Sequence, residues 1–177
     1  GDSFRRMVKL PRAAHGMTLA HAGMAITIAG MTGSAAWKTE DIRIARPGEL
    51  IEVAGSETGK VFAEADVEVS EAVDFANYYA ATARELDRVS GAVFVPARVT
   101  VVTPPWNFPI AIPAGGVLAA LAAGSGVIFK PAPQARRCAA VVAETLWSAG
   151  VPRDVLALVD IDEGGLGQQL VSHPDVD

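Results

Sequence analysis

The sequence predicts an α/β protein, with N-terminal helices followed by a parallel sheet with crossover helices. Two observations carry this. From position 98 onward, short β-rich runs alternate with apolar helical segments, and that order belongs to a doubly wound parallel sheet. Ahead of it, apolar residues from Val67 to Arg88 recur at helical spacing. The 177 residues are half apolar and 20% charged, which makes a globular chain able to bury a core. Aromatics are scarce at 6%, and Ala and Gly abundant, so packing should rely on close backbone approach.

In chain order, Met17–Ala29 is a helix candidate, and Thr39-Glu40-Asp41 resembles a helix start that Pro47-Gly48 should break. Glu49–Ser56 fits a short helix ending near Gly59. Val69, Ala72, Phe75/Ala76, Tyr79, Ala83 and Leu86 form one buried stripe along the helix Val67–Arg88. Gly91–Ala97 reads as extended. Val99–Thr103 is a β-rich run closed by Pro104-Pro105. Then come a helix at Pro113–Ala123, a strand at Val127–Phe129 and a helix at Gln134–Ala149. A strand at Val155–Val159 and a helix at Gly164–Val171 complete the series.

Charge and composition exclude several functions. The net charge of −5 argues against a nucleic-acid binder, which needs a basic face. That charge is uneven: residues 1–47 carry net +4 and residues 48–177 net −9. The basic start (Arg5, Arg6, Lys9, Arg12) reads as a solvated tail, with a targeting segment or acidic-partner arm as the alternative. Met17–Trp37 runs 21 residues without a charge, but it is mostly Ala, Gly, Thr, Ser and Met. A buried helix and turn fit it better than a membrane span. No cleavable signal pattern is evident. One cysteine and three scattered histidines offer no disulfide, metal site or triad, and a reducing cytoplasm fits best.

Ligands of open parallel sheets bind outside the carboxyl ends of the strands. Three loops fall there. Pro104–Pro109 holds three prolines and Asn107, whose amide suits either an oxyanion donor or a cap on its own turn. Lys130, directly after an apolar strand, suits the hydroxyl or phosphate groups of a nucleotide, or simply ends the strand at the surface. Asp160–Gly167 is glycine-rich. Its helix start would offer backbone N–H groups to a pyrophosphate, but its three carboxylates oppose one. Cys138 follows two arginines that would activate a thiol, yet it sits among Ala139-Ala140-Val141-Val142 and reads as a core residue.

Taken together, Pro105-Trp106-Asn107-Phe108-Pro109, Ala122-Ala123-Gly124, Phe129-Lys130-Pro131-Ala132, Ala149-Gly150-Val151-Pro152, Gly167 and His173-Pro174 resemble the aldehyde dehydrogenase superfamily. Glu57-Thr58-Gly59-Lys60 and Glu71-Ala72-Val73-Asp74-Phe75 resemble its early helices. The resemblance covers about Glu49 to Asp177. Glu71–Ala80 and Pro152-Arg153-Asp154-Val155-Leu156 look most like the pyrroline-5-carboxylate dehydrogenase part of bacterial bifunctional proline-utilisation proteins. The resemblance implies an N-terminal portion of such an enzyme. Residues 1–48 match poorly, 49–97 form a helical region, and 98–177 form part of a Rossmann-like cofactor-binding region. Asn107 would hold the oxyanion, Pro105 and Trp106 would line the nicotinamide pocket, and Lys130 would bond the adenosine ribose. Gly167 would be the last glycine of a glycine-rich helix start.

The implied reaction is oxidation of an aldehyde, best L-glutamate γ-semialdehyde, to a carboxylate with NAD, or with NADP. The implied enzyme is a cytoplasmic oligomer of proline catabolism with no metal, membrane or nucleic-acid partner. A non-catalytic nucleotide-binding or interaction module is the alternative. Ile161 and Glu163 replace two family glycines, and Pro133 replaces a glutamate that many members place on the ribose. The family's nucleophilic cysteine and general-base glutamate belong downstream of the His-Pro motif. The chain alone is therefore expected to be inactive.

Overall fold

The computed structural model describes residues 47–176, so the expectations at Met17–Ala29, Thr39–Asp41 and Met17–Trp37 lie outside the described residues. The described chain runs α1 (Pro47–Thr58), α2 (Phe62–Ala83), a 3-10 turn (Leu86–Arg88), β1 (Val99–Val102) and α3 (Ala111–Ala122). It continues through β2 (Gly126–Phe129), a second 3-10 turn (Pro133–Ala135), α4 (Arg136–Ser148), β3 (Leu156–Leu158) and α5 (Gly165–Val171). The strands form one parallel sheet in the order β1-β2-β3, with Val99 opposite Gly126 and Val127 opposite Leu156. This is the α/β architecture that the alternation in sequence predicts.

Local chemistry accounts for most boundaries. Pro47 starts α1 rather than breaking it, because the first helical position needs no intrahelical N–H bond. α3 and α4 stop where Gly124 (φ 88°) and Gly150 (φ 99°) take the left-handed conformation that closes a helix end. α2 begins five residues before the expected Val67. Of its first five residues only Ala65 is buried, while Phe62, Ala63, Glu64 and Asp66 are exposed, so the apolar period is weak there. The stripe's expected last member, Leu86, belongs to the separate 3-10 turn. Gly91–Ala97 forms no strand, and Val93 and Val95 face solvent.

α3 and α4 lie on the sheet and touch each other, α2 packs on α3, and α1 packs on both α2 and α4. The core runs from Val127, Phe129 and Leu156 of the sheet, through Leu118 and Leu146, out to Leu50 of α1. Small residues let these layers close up. α2 buries five alanines, from Ala65 to Ala83. A Cβ on Gly115 would come within 3.0 Å of the Phe75 ring, and one on Gly116 within 3.0 Å of the Val102 side chain. Adjacent glycines thus set α3 between α2 and β1. Among the described residues no helix is long and apolar enough to cross a membrane.

Candidate functional site

The parallel sheet delivers three loops to one edge: 103–110 after β1, 130–135 after β2 and 159–164 after β3. The first carries Pro105, Trp106 and Asn107, the second Lys130, and the third leads to Gly167. Extra backbone bonds hold the strand ends in line, from Lys130 N to Val102 O at 2.9 Å and from Val159 N to Phe129 O at 2.9 Å. No side-chain hydrogen bond joins Asn107 to Lys130 among the described residues.

In the first loop Pro104 and Pro109 are buried and pin its two ends, while Pro105 to Phe108 stand in solvent. Among the described residues the Asn107 side chain makes no hydrogen bond, so it does not cap its own turn. The loop is held from behind. The buried Glu68 on α2, 2% exposed, accepts the N–H groups of Ile110 and Ala111 through Oε2 at 2.9 and 3.1 Å. Its Oε1 meets Lys60 Nζ at 2.7 Å, and that ammonium lies 4.6 Å from the centre of the Phe108 ring. These bonds supply the cap that Ile110, the residue ahead of α3, cannot provide.

The helix after the second loop is closed in the same way. Arg137 N and Cys138 N donate to the two carboxylate oxygens of Glu57, each at 2.8 Å, whereas Ala135 at the N-cap has no side chain to offer. Helix starts after parallel strands ordinarily attract anions. Here those of α3 and α4 are occupied by the chain's own glutamates from the helical region. Neither glutamate stands out by a local rule, because the bonds span 42 and 80 residues. One signal was available for Glu68: it falls on the apolar stripe with Val69 and Ala72, where an acid must find a partner.

Lys130 is only 6% exposed, so it is not an ordinary surface lysine. Its Nζ donates to Pro131 O and to Glu163 Oε1, both at 3.3 Å. The other two acids of the third loop are also engaged. Asp160 pairs with Arg136 at 2.9 Å, and Asp162 Oδ1 accepts the Gly164 N–H at 3.1 Å. The first amide expected to greet a pyrophosphate is therefore already bonded within the turn. Gly167 is buried, and a Cβ there would lie 2.7 Å from Asp162 O, so only glycine lets this turn fold against α5. Among the described residues no three His, Cys, Asp or Glu side chains gather to hold a metal ion.

Cys138 is fully buried. Burial pushes its thiol far above the ordinary value of 9.0, and Glu57 raises it further by accepting its hydrogen bond and by its charge, against a lowering by Arg137. A protonated, enclosed thiol is a poor nucleophile. Native chain should therefore resist Ellman's reagent until it is unfolded in guanidinium. The pH dependence follows with a definite sign. Above about 9 the unfolded thiol ionises while the native one keeps its proton, so stability declines as pH rises. Cys138→Ala should remove that part of the decline. Equal slopes for the two proteins between pH 8 and 10 would refute the assignment.

An open parallel sheet with crossover helices, and loops gathered at the carboxyl ends of its strands, defines a protein of the open-sheet α/β class. The description "Aldehyde dehydrogenase family" fits residues 29–177, and the chain belongs to that family. The match begins upstream of Glu49. A 1-pyrroline-5-carboxylate dehydrogenase of Bacillus licheniformis is 39% identical over 128 residues, covering 67% of this chain and 25% of that protein. The bifunctional protein PutA of Escherichia coli is 43% identical over 128 residues, 72% of this chain and 10% of its own length. The chain thus spans about a quarter of the length of the first of these relatives and less of the second. A 1-pyrroline-5-carboxylate dehydrogenase from Thermus, solved with bound NAD, superposes with a TM-score of 0.82 at 29% identity. It covers 99% of this chain and 33% of that one.

Proposed function

We propose that this chain supplies the oxyanion donor and part of the cofactor cleft of an NAD(P)-dependent aldehyde dehydrogenase that oxidises L-glutamate γ-semialdehyde in proline catabolism. Names of relatives at 39 and 43% identity support that substrate. The observation that carries the reading is the free, exposed Asn107 amide on a loop fixed by buried prolines in front and by Glu68 behind.

The roles follow from position. Asn107 Nδ2 donates to the carbonyl oxygen as negative charge develops on it. Pro105 and Trp106 present an apolar surface beside it for the nicotinamide. Lys130 holds the adenosine ribose, and an ammonium with donor capacity to spare fits that task. Gly167 keeps the turn below the cofactor closed. When bound, the cofactor supplies the hydride acceptor. Residues 49–97 act as the buttress that fixes both helix starts, and 98–177 form the cleft. The complete enzyme is a cytoplasmic oligomer. Its nucleophile is not Cys138, the sole cysteine of these 177 residues.

Two assays test this. The 177-residue chain should produce no aldehyde-dependent NAD(P)H, and turnover that vanishes in Cys138→Ser would overturn the assignment. A chimera carrying residues 49–177 in place of the matching quarter of the Bacillus licheniformis dehydrogenase should oxidise L-glutamate γ-semialdehyde. It should do so better than acetaldehyde or benzaldehyde. A folded chimera that binds NAD+ but shows no turnover would contradict the proposal.

A further inference from the structure

We propose that Glu163 is a specificity-determining residue, which makes the Lys130 site favour a ribose with a free 2′,3′-diol over one with a 2′-phosphate. The inference rests on the reading of Lys130 as a ribose-binding residue. Lys130 is a buried cation with thin support. Both of its hydrogen bonds are 3.3 Å long, well beyond the roughly 2.7–2.9 Å of a strong charge-assisted bond. An ammonium has three donors, so one remains for a ligand.

Its carboxylate partner is placed differently. The Glu163 side chain is 65% exposed, and among the described residues its Oε2 makes no hydrogen bond. The ammonium is therefore buried, and the carboxylate stands beside it in solvent. Glu163 is also the acid of this turn that faces Lys130, since Asp160 pairs with Arg136 and Asp162 bonds Gly164 N. Pro133, on the neighbouring loop, has no side-chain acceptor to share the task.

The chemistry of the pair discriminates. A vicinal diol accepts from the ammonium and donates to the carboxylate, so it satisfies both. A 2′-phosphate dianion has no proton for the carboxylate and brings like charge within a few ångströms of it. The sequence places this acid in a position where the family resemblance expects glycine, and the fold turns it onto Lys130.

Two isomers of equal charge separate this effect from general attraction: 5′-AMP, with its free diol, and 2′-AMP. Their dissociation constants for the 177-residue chain can be read in the millimolar range by NMR titration. Wild type should prefer 5′-AMP. Glu163→Gln, an exposed change that preserves shape, should tighten 2′-AMP about tenfold and leave 5′-AMP within about threefold. Lys130→Met, with unchanged circular dichroism, should abolish both. Lys130-dependent binding of 5′-AMP with a ratio moved less than twofold by Glu163→Gln would overturn the role of Glu163 alone. Binding of 5′-AMP that ignores Lys130→Met, or no binding at all, would overturn the ribose-site reading and the role of Glu163 with it.

Discussion

Glu68→Ala should cost about 3–5 kcal/mol of stability, a large share of the roughly 5–15 kcal/mol that holds a domain together. The loss has two parts. Ile110 and Ala111 lose the acceptor of their N–H groups at the start of α3, and Lys60 loses its 2.7 Å counter-charge in a largely buried setting. Glu68→Gln keeps an acceptor and loses the charge, so it should fall between wild type and Glu68→Ala. The double variant Glu68→Leu/Lys60→Met strands neither charge and should recover part of the loss. Urea titrations of the four proteins measure this. A Glu68→Ala cost below about 1 kcal/mol would mean that the loop and α3 do not depend on this contact.

Asn107→Ala should show the opposite division. The side chain is exposed and unbonded among the described residues, so its loss should change stability by less than about 0.5 kcal/mol. In the chimeric dehydrogenase, however, removing an oxyanion donor should lower kcat about 10²–10³-fold. Steady-state NADH formation at saturating substrate reads it directly. A kcat within about twofold of the unsubstituted chimera would reduce Asn107 to a turn residue. Set beside Glu68, the pair separates two jobs on one loop: one residue holds it, and the other uses the position.

The sheet and its crossovers were legible because their signals are local. β-rich runs, a period near 3.6 and glycine stops at Gly124 and Gly150 each lie within a few residues of what they determine. The motif residues Pro105, Trp106, Asn107 and Lys130 were legible for the same reason, and all fall at one edge of the sheet. The early start of α2 was not, because exposed residues such as Phe62 interrupt the apolar pattern. The caps of α3 and α4 were hidden more deeply. Cap rules look to the residue just ahead of a helix, and here Ile110 and Ala135 stand there while Glu68 and Glu57 arrive from distant helices. In sequence the glycine-rich turn looks electrostatically hostile because of its three acids. Their separate engagements, with Arg136, Gly164 N and Lys130, exist only once the strands are in register.

Under the proposed function, the carboxyl ends of β1, β2 and β3 form a nucleotide site. The most direct measurement is the amide spectrum of the ¹⁵N-labelled chain titrated with NAD+ into the millimolar range. Shifts should gather in residues 104–109, 130–133 and 160–167, and should vanish in Lys130→Met. Shifts concentrated instead on α1 and α2, or no shifts at all, would contradict the claim.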